Sequence, residues 1–164
     1  SQVLVTPYDF VLNNEMDDFS PPTGTNIYGL QQSTKNLPEV GKRPLSSMSP
    51  TIVLRDGKPI FVTGASGGPR IISGVVQVIL NNVWFGDEPI AAVSRPRLHH
   101  QWMPDKVYFE ELWDDKVVID AIQSKGHETT TRKTVGVVQA ISIDGNVLKP
   151  ASDPRKGGVA SGID

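Results

Sequence analysis

The chain has 164 residues, with 16 Lys and Arg against 18 Asp and Glu, a formal net charge of −2, 38% hydrophobic residues and no cysteine. The length fits one domain able to bury a sizeable core, and the dense apolar runs argue against disorder. The balanced charge speaks against a general nucleic-acid binder, the lack of Cys excludes disulfides, thiolate catalysis and Cys-ligated metals, and no apolar run approaches bilayer length.

Ser1-Gln2-Val3-Leu4-Val5 opens directly in an alternating strand pattern, and no targeting pattern is read in these residues. An N-terminal serine has a sharp reading, a nucleophile whose own amine is the base, and a plain one, the place where the chain begins. Residues 2–5 and 10–13 read as short strands around a Thr6-Pro7-Tyr8-Asp9 turn. From Asn14 to Pro50 no apolar period is sustained, and five prolines punctuate the stretch. A connection of that length in a compact domain is usually functional or disordered, and its two polar clusters favour function.

Two strands, Thr51-Ile52-Val53-Leu54 and Ile60-Phe61-Val62-Thr63, flank Asp56-Gly57, a pair that tolerates the positive φ of a tight hairpin turn. The second strand runs into Gly64-Ala65-Ser66-Gly67-Gly68. Ile71, Ile72, Val75, Val76, Ile79, Leu80 and Val83 then repeat at helical spacing, which predicts a buried helix of about four turns despite their β-branching. Residues 87–94 read as a short helix ended by Pro96, and Val107-Tyr108-Phe109-Glu110 as a strand. Asp114 or Asp115 caps a helix whose core face holds Val117, Val118, Ala121 and Ile122, stopped by Gly126. Val135 to Ile143 reads as a long strand, followed by an Asp144-Gly145-Asn146 turn. Hairpins mixed with a few helices predict α+β layers rather than a doubly wound fold.

Four clusters carry possible chemistry. Glu15, Asp17 and Asp18 crowd three carboxylates into four positions, either a pocket for an ammonium or a metal or a solvated acidic turn. Met16 and Phe19 among them suggest a partly packed turn. Ser46 and Ser47 offer paired hydroxyls to a carboxylate or phosphate, or form an ordinary Ser/Pro turn. Gly67 and Gly68, between strand and helix, expose N–H groups fit to stabilise an oxyanion, or simply allow close packing. Neither the phosphate-loop pattern nor the Rossmann spacing is present. His99-His100, with His127 distant, raises a metal site that Asp or Glu ligands would complete. Neighbouring residues on a strand point to opposite faces, so a shared ion is disfavoured, and no metal is expected.

In order and wording these segments closely resemble the small subunit of γ-glutamyltranspeptidases. The resemblance rests on Leu12-Asn13-Asn14-Glu15-Met16-Asp17-Asp18-Phe19-Ser20, on Gly41 to Ile52 with its Pro44-Leu45-Ser46-Ser47-Met48-Ser49-Pro50 centre, and on Ser66-Gly67-Gly68-Pro69-Arg70-Ile71-Ile72. Pro96-Arg97-Leu98-His99-His100-Gln101-Trp102 and Ala151-Ser152-Asp153-Pro154-Arg155-Lys156-Gly157-Gly158 extend it over essentially the whole chain.

The resemblance implies an N-terminal-nucleophile hydrolase: a precursor that cuts itself into two subunits, whose new N-terminal Thr attacks a γ-glutamyl amide. It implies part of a four-layer α-β-β-α sandwich shared with a large subunit, a γ-glutamyl substrate such as glutathione, no cofactor, no nucleic acid, and a periplasmic or extracellular setting. By resemblance, Glu15 and Asp18 hold the substrate α-ammonium, Ser46 and Ser47 its α-carboxylate, and Gly67 and Gly68 the oxyanion. The family's Thr lies upstream of the region matched here, and Thr129-Thr130-Thr131 is internal. The chain is therefore expected to be a partial small subunit of one domain, residues 1–164, inactive alone and with an unpaired sheet edge. Ser66 stands where the family often has Pro, and Pro69, which lacks an N–H, where it often has Ser. The rival expectations are an acylase of the same superfamily with another amide substrate, and an inactive fragment or binding module.

Overall fold

The computed structural model describes residues 3–30 and 33–162, so the Ser1 reading lies outside the described residues. The chain forms two compact units, residues 1–46 and residues 47–164.

In the first unit, strands β1 (Leu4–Val5) and β2 (Phe10–Val11) pair antiparallel around the turn the sequence predicts. Its other described residues form loop, interrupted by two single 3-10 turns, Glu15–Asp18 and Thr34–Asn36. Most of its apolar side chains are exposed, Leu4, Phe10, Val11, Met16 and Ile27 among them, and polar side chains bonding to backbone organise its loops. Asn26 Oδ1, for example, accepts from the N–H groups of Tyr28 (3.0 Å) and Leu30 (3.1 Å).

The second unit holds the core. Strands β3 (Thr51–Arg55) and β4 (Lys58–Ser66) form the predicted hairpin, with Asp56 at φ 51° and Gly57 at φ 77°, the left-handed pair a two-residue turn requires. Helix α1 (Arg70–Ile79) follows and continues through a π-helical turn, Leu80–Trp84, matching the predicted four turns. Helix α2 spans Pro89–Ser94. Next come β5 (Leu98–His99), β6 (Val107–Glu110), α3 (Lys116–Ser124), β7 (Thr129–Arg132), β8 (Val137–Asp144) and β9 (Val147–Ala151).

One sheet has the order β3-β4-β8-β9 and is antiparallel throughout, with β3 and β9 at its edges. Phe61, Val138, Ala140 and Ala151 from this sheet meet Val78, Ala92 and Val93 from α1 and α2, giving one helical layer on one sheet layer. Gly74 lets α1 approach closely, since a Cβ there would stand 3.1 Å from Val138 Cγ2. The second sheet, β5-β6-β7, pairs β5 and β6 antiparallel and β6 and β7 parallel, with α3 as the crossover.

Two helix faces differ from expectation. On α1 the buried positions are Ile71, Gly74, Val75 and Val78, while Ile72 and Val76 are half exposed. The double apolar column of the sequence is thus split between a core face and an outer face. On α3, Asp115 is the N-cap, its carboxylate accepting from Val118 N–H at 3.2 Å, but Val117 is 78% exposed and the partly buried positions are Val118, Ile119 and Ile122. Strands β5, β7 and β9 were not legible: two are short or polar, and the third carries Pro150, which is tolerated at a sheet edge.

Candidate active site

The acidic cluster folds as the 3-10 turn Glu15–Asp18. Asn13 Oδ1 accepts from the Glu15 N–H at 3.1 Å, and Asn14 Nδ2 donates to the Asp17 carboxylate at 3.3 Å, so both asparagines act locally on the turn. Phe19 is buried and anchors it, but Met16 is exposed, so only half of the expected packing is present. Glu15 and Asp18 are partly buried, and no cation pairs with either among the described residues. Burial first, then the charges of Glu15 and Asp17, pushes the Asp18 carboxyl above its ordinary range. A cavity beside the turn is lined by Asp17, Phe19, Pro22, Asn26 and Pro38; Glu15 and Asp18 do not line it.

A residue missed in the sequence reading joins this turn to the serine segment. Asn36 Nδ2 donates to the Asp18 carbonyl at 2.8 Å, and its Oδ1 accepts from the Leu45 N–H at 2.9 Å. The Asn36 carbonyl also accepts from the Ser20 N–H at 3.0 Å. Asp18 and the segment ending at Ser46 are therefore tied to one side chain within the first unit. A lone asparagine in a loop carries no pattern that announces such a role. Ser46 closes the first unit and is exposed; Ser47 opens the second and is partly buried. The Ser47 carbonyl accepts from Ser49 Oγ at 3.1 Å.

Gly67 and Gly68 lie where β4 ends and α1 begins, at φ 143° and 60°. No acceptor takes either N–H among the described residues, while the Gly68 carbonyl starts the helix by accepting from Ile71 N–H at 3.0 Å. Pro69 is the N-cap of α1, so its missing N–H falls at a helix start, where it would have no intrahelical partner. A Cβ on Gly67 would stand 2.9 Å from the Gly136 Cα, and one on Gly136 would stand 3.2 Å from the Arg70 carbonyl oxygen. Only glycine at both positions lets these backbones meet.

Gly136 is in turn held by Arg97, which belongs to a set of four charges, three buried and Arg155 partly buried. Arg97, fully buried, donates from one terminal nitrogen to the Val135 and Gly136 carbonyls, both at 3.3 Å, and from the other to Asp153 Oδ2 at 2.7 Å and to the Val93 carbonyl. Glu110 accepts from the Val135 N–H at 2.6 Å and the Arg97 N–H at 2.9 Å, and Asp153 from the Val138 N–H at 2.8 Å. Arg155 closes the set, donating to Glu110 at 2.8 Å and to Asp153 at 3.0 Å. Two guanidinium groups thus balance two carboxylates. Burial lowers the Arg97 pKa. Burial would raise that of Asp153, but hydrogen bonds from Val138, Arg155 and Arg97 outweigh it and hold the carboxyl below its ordinary range.

The histidine pair divides as its spacing predicts. His99 is 2% exposed, its Nδ1 2.8 Å from Ser73 Oγ and its Nε2 2.8 Å from Gln101 Oε1; burial above all lowers its pKa. His100 is exposed. Thr129-Thr130-Thr131 lies in β7, inside the second sheet.

A helix layer on an antiparallel sheet, with a glycine loop at a strand-to-helix junction, defines an α+β protein with the fold of the N-terminal-nucleophile hydrolases. Within that class the chain belongs to the γ-glutamyltranspeptidase family, whose model matches residues 1–163. It is 43% identical over 148 residues to the glutathione hydrolase proenzyme of Escherichia coli K12, an alignment covering 88% of this chain and 25% of that protein. It superposes on the T380A mutant of Helicobacter pylori γ-glutamyltranspeptidase with a TM-score of 0.85 at 42% identity, covering 94% of this chain and 86% of the other. The enzyme of Pseudomonas nitroreducens complexed with L-DON gives a TM-score of 0.85 at 40% identity, covering 100% of this chain and 87% of the other. The chain spans 25% to 29% of the length of the first curated relatives it matches.

Proposed function

We propose that this chain supplies the substrate-binding and oxyanion-stabilising part of a γ-glutamyltranspeptidase, which cleaves γ-glutamyl amides such as glutathione and passes the γ-glutamyl group to water or an amine. The carrying observation is the loop at Gly67 and Gly68, whose N–H groups lack protein acceptors among the described residues while Gly136 backs the loop rigidly. Donors fixed in advance stabilise the charge that develops on a carbonyl oxygen during acyl transfer.

In this reading the carboxylates of Glu15 and Asp18 receive the substrate α-ammonium, whose positive charge relieves their mutual repulsion. Ser46 and Ser47 donate to the α-carboxylate. A threonine hydroxyl outside this chain adds to the γ-carbonyl carbon, and the oxygen becomes an oxyanion facing Gly67 and Gly68. The C–N bond breaks, the amine leaves with a proton, and an ester remains. Water or an amine then adds to that ester and releases the threonine. A larger subunit of the same precursor completes the enzyme, in the periplasm or outside the cell. No helix among the described residues is long and apolar enough to cross a membrane.

The test is release of product from a γ-glutamyl anilide by the full-length protein. Turnover is expected, and Asp18→Ala is expected to raise KM by well over tenfold through loss of the ion pair. Unchanged kinetics in that variant overturn the ammonium assignment. Free glutamate is expected to compete, whereas an acylase without an α-ammonium site ignores it.

A further inference from the structure

We propose that His100, Asp105 and His127, none of them a residue assigned to γ-glutamyl chemistry, form a zinc-binding site at one end of the second sheet.

The geometry follows from strand register. Strands β6 and β7 run parallel with Val107 opposite Thr129 and Tyr108 opposite Thr130. Carried two residues back, the same register sets Asp105 opposite His127. Strands β5 and β6 run antiparallel with His99 opposite Tyr108, which sets His100 opposite Val107. Alternate residues of a strand share a face, so Asp105, His127 and His100 fall on the same face at the same sheet end. The intervening positions behave accordingly on the other face. There Lys106 and Glu128, also register partners, form an ion pair at 2.6 Å. The Val107 N–H donates to the Glu128 carbonyl at 2.8 Å, so the pairing extends outward past the assigned strands.

The three side chains converge. His100 Nε2 lies 2.9 Å from Asp105 Oδ1, the His100 and His127 rings meet edge to face at 5.8 Å, and one ligand atom from each residue lies within 4.8 Å of the other two. Zinc bonds of about 2.0–2.2 Å in a tetrahedron set ligand atoms roughly 3.3 Å apart, so the His100–Asp105 pair opens slightly and the wider separations close, an adjustment that exposed side chains reach by rotation. Two neutral imidazoles and one carboxylate suit a borderline divalent ion, with water as the fourth ligand. All three residues are exposed, so the ion has an open path. This departs from the sequence expectation of no metal, which rested on adjacent histidines facing opposite ways and on the distance of His127; in the fold His127 and Asp105 lie beside His100. His99 points inward to Ser73 and Gln101, and the fold supplies His127 instead. The bound ion would clip the loop between β5 and β6 to the start of β7.

The experiment is calorimetric titration of the metal-free, full-length protein with zinc chloride, with cobalt(II) absorption as a second readout. One zinc per chain is expected. His127→Gln and Asp105→Asn should each weaken binding at least tenfold and lose the cobalt bands, while Glu128→Gln, on the opposite face, binds as the parent does. Circular dichroism checks that each variant is folded. Absence of zinc uptake by the parent protein overturns the proposal, as does wild-type affinity in both His127→Gln and Asp105→Asn.

Discussion

The Cα of Gly136 occupies the space that a side chain on Gly67 would need, 2.9 Å from where that Cβ would stand. Both partners of this contact are backbone, so neither can move aside alone. The candidate oxyanion loop is therefore positioned by the start of β8, and β8 by the buried charges around Arg97.

Gly67→Ala tests this contact. The added methyl meets backbone and demands φ 143° of a residue with a Cβ. We expect a loss of about 1–3 kcal/mol of stability and, in the residual folded protein, a fall of roughly 100-fold in kcat for the γ-glutamyl anilide from loop displacement. Gly64→Ala, where the Cβ meets open space, should lose far less stability. Equal urea-unfolding midpoints and equal kcat for Gly67→Ala and the parent protein would refute the tight-contact account.

Asp18 predicts a pH dependence. Its carboxyl is raised above the ordinary 3.8, so it takes up a proton at a higher pH than an isolated Asp. Only the ionised form attracts an ammonium, so substrate affinity should be full above the raised pKa and fall as pH drops through it. The profile of kcat/KM against pH should lose that acidic limb in Asp18→Asn, at a uniformly lower level.

Asn36→Ala removes the link between the Asp18 carbonyl and the Leu45 N–H. Two hydrogen bonds at roughly 1 kcal/mol each set the scale of the stability loss within the first unit. The expected kinetic signature is a raised KM with kcat nearly unchanged, since the variant loosens the ammonium and carboxylate sites but leaves Gly67 and Gly68 alone. A fall in kcat with constant KM would contradict the role given to Asn36.

Arg97→Met leaves Glu110 and Asp153 to share Arg155 alone. An uncompensated buried charge costs about 3–5 kcal/mol, a large part of a typical domain's stability. Chemical denaturation should show that loss. The double variant Arg97→Met with Asp153→Leu should cost less than the sum of the two single changes, because it removes both members of the pair.

His99 sets an acid limit. Its pKa is lowered from the ordinary 6.5, so the unfolded chain binds the proton first as pH falls. The neutral, buried imidazole thus contributes stability that is complete above pH 6.5 and declines below it. Denaturation midpoints should fall between neutral pH and pH 5, and His99→Gln should flatten that slope.

Much of this protein is written locally. Asp56-Gly57 fixes a hairpin because left-handed φ values suit only a few residues, and the spacing from Ile71 to Val83 fixes a helix because burial needs a continuous face. The acidic turn, the serine pair and the glycine pair are contiguous, so they can be read as candidate chemistry from short segments alone. The tertiary structure decided the rest. It selected Gly74 and Val78, rather than Ile72 and Val76, for the core side of α1, since only packing against Val138 and Phe61 distinguishes the two faces. It gave Asn36, Arg97, Glu110, Asp153 and Arg155 their roles, because a hydrogen bond between residues such as Arg97 and Asp153, 56 positions apart, leaves no trace in spacing. It also brought His127 beside His100 through the parallel pairing of β6 with β7, a register fixed by a crossover helix and by no local pattern in the chain.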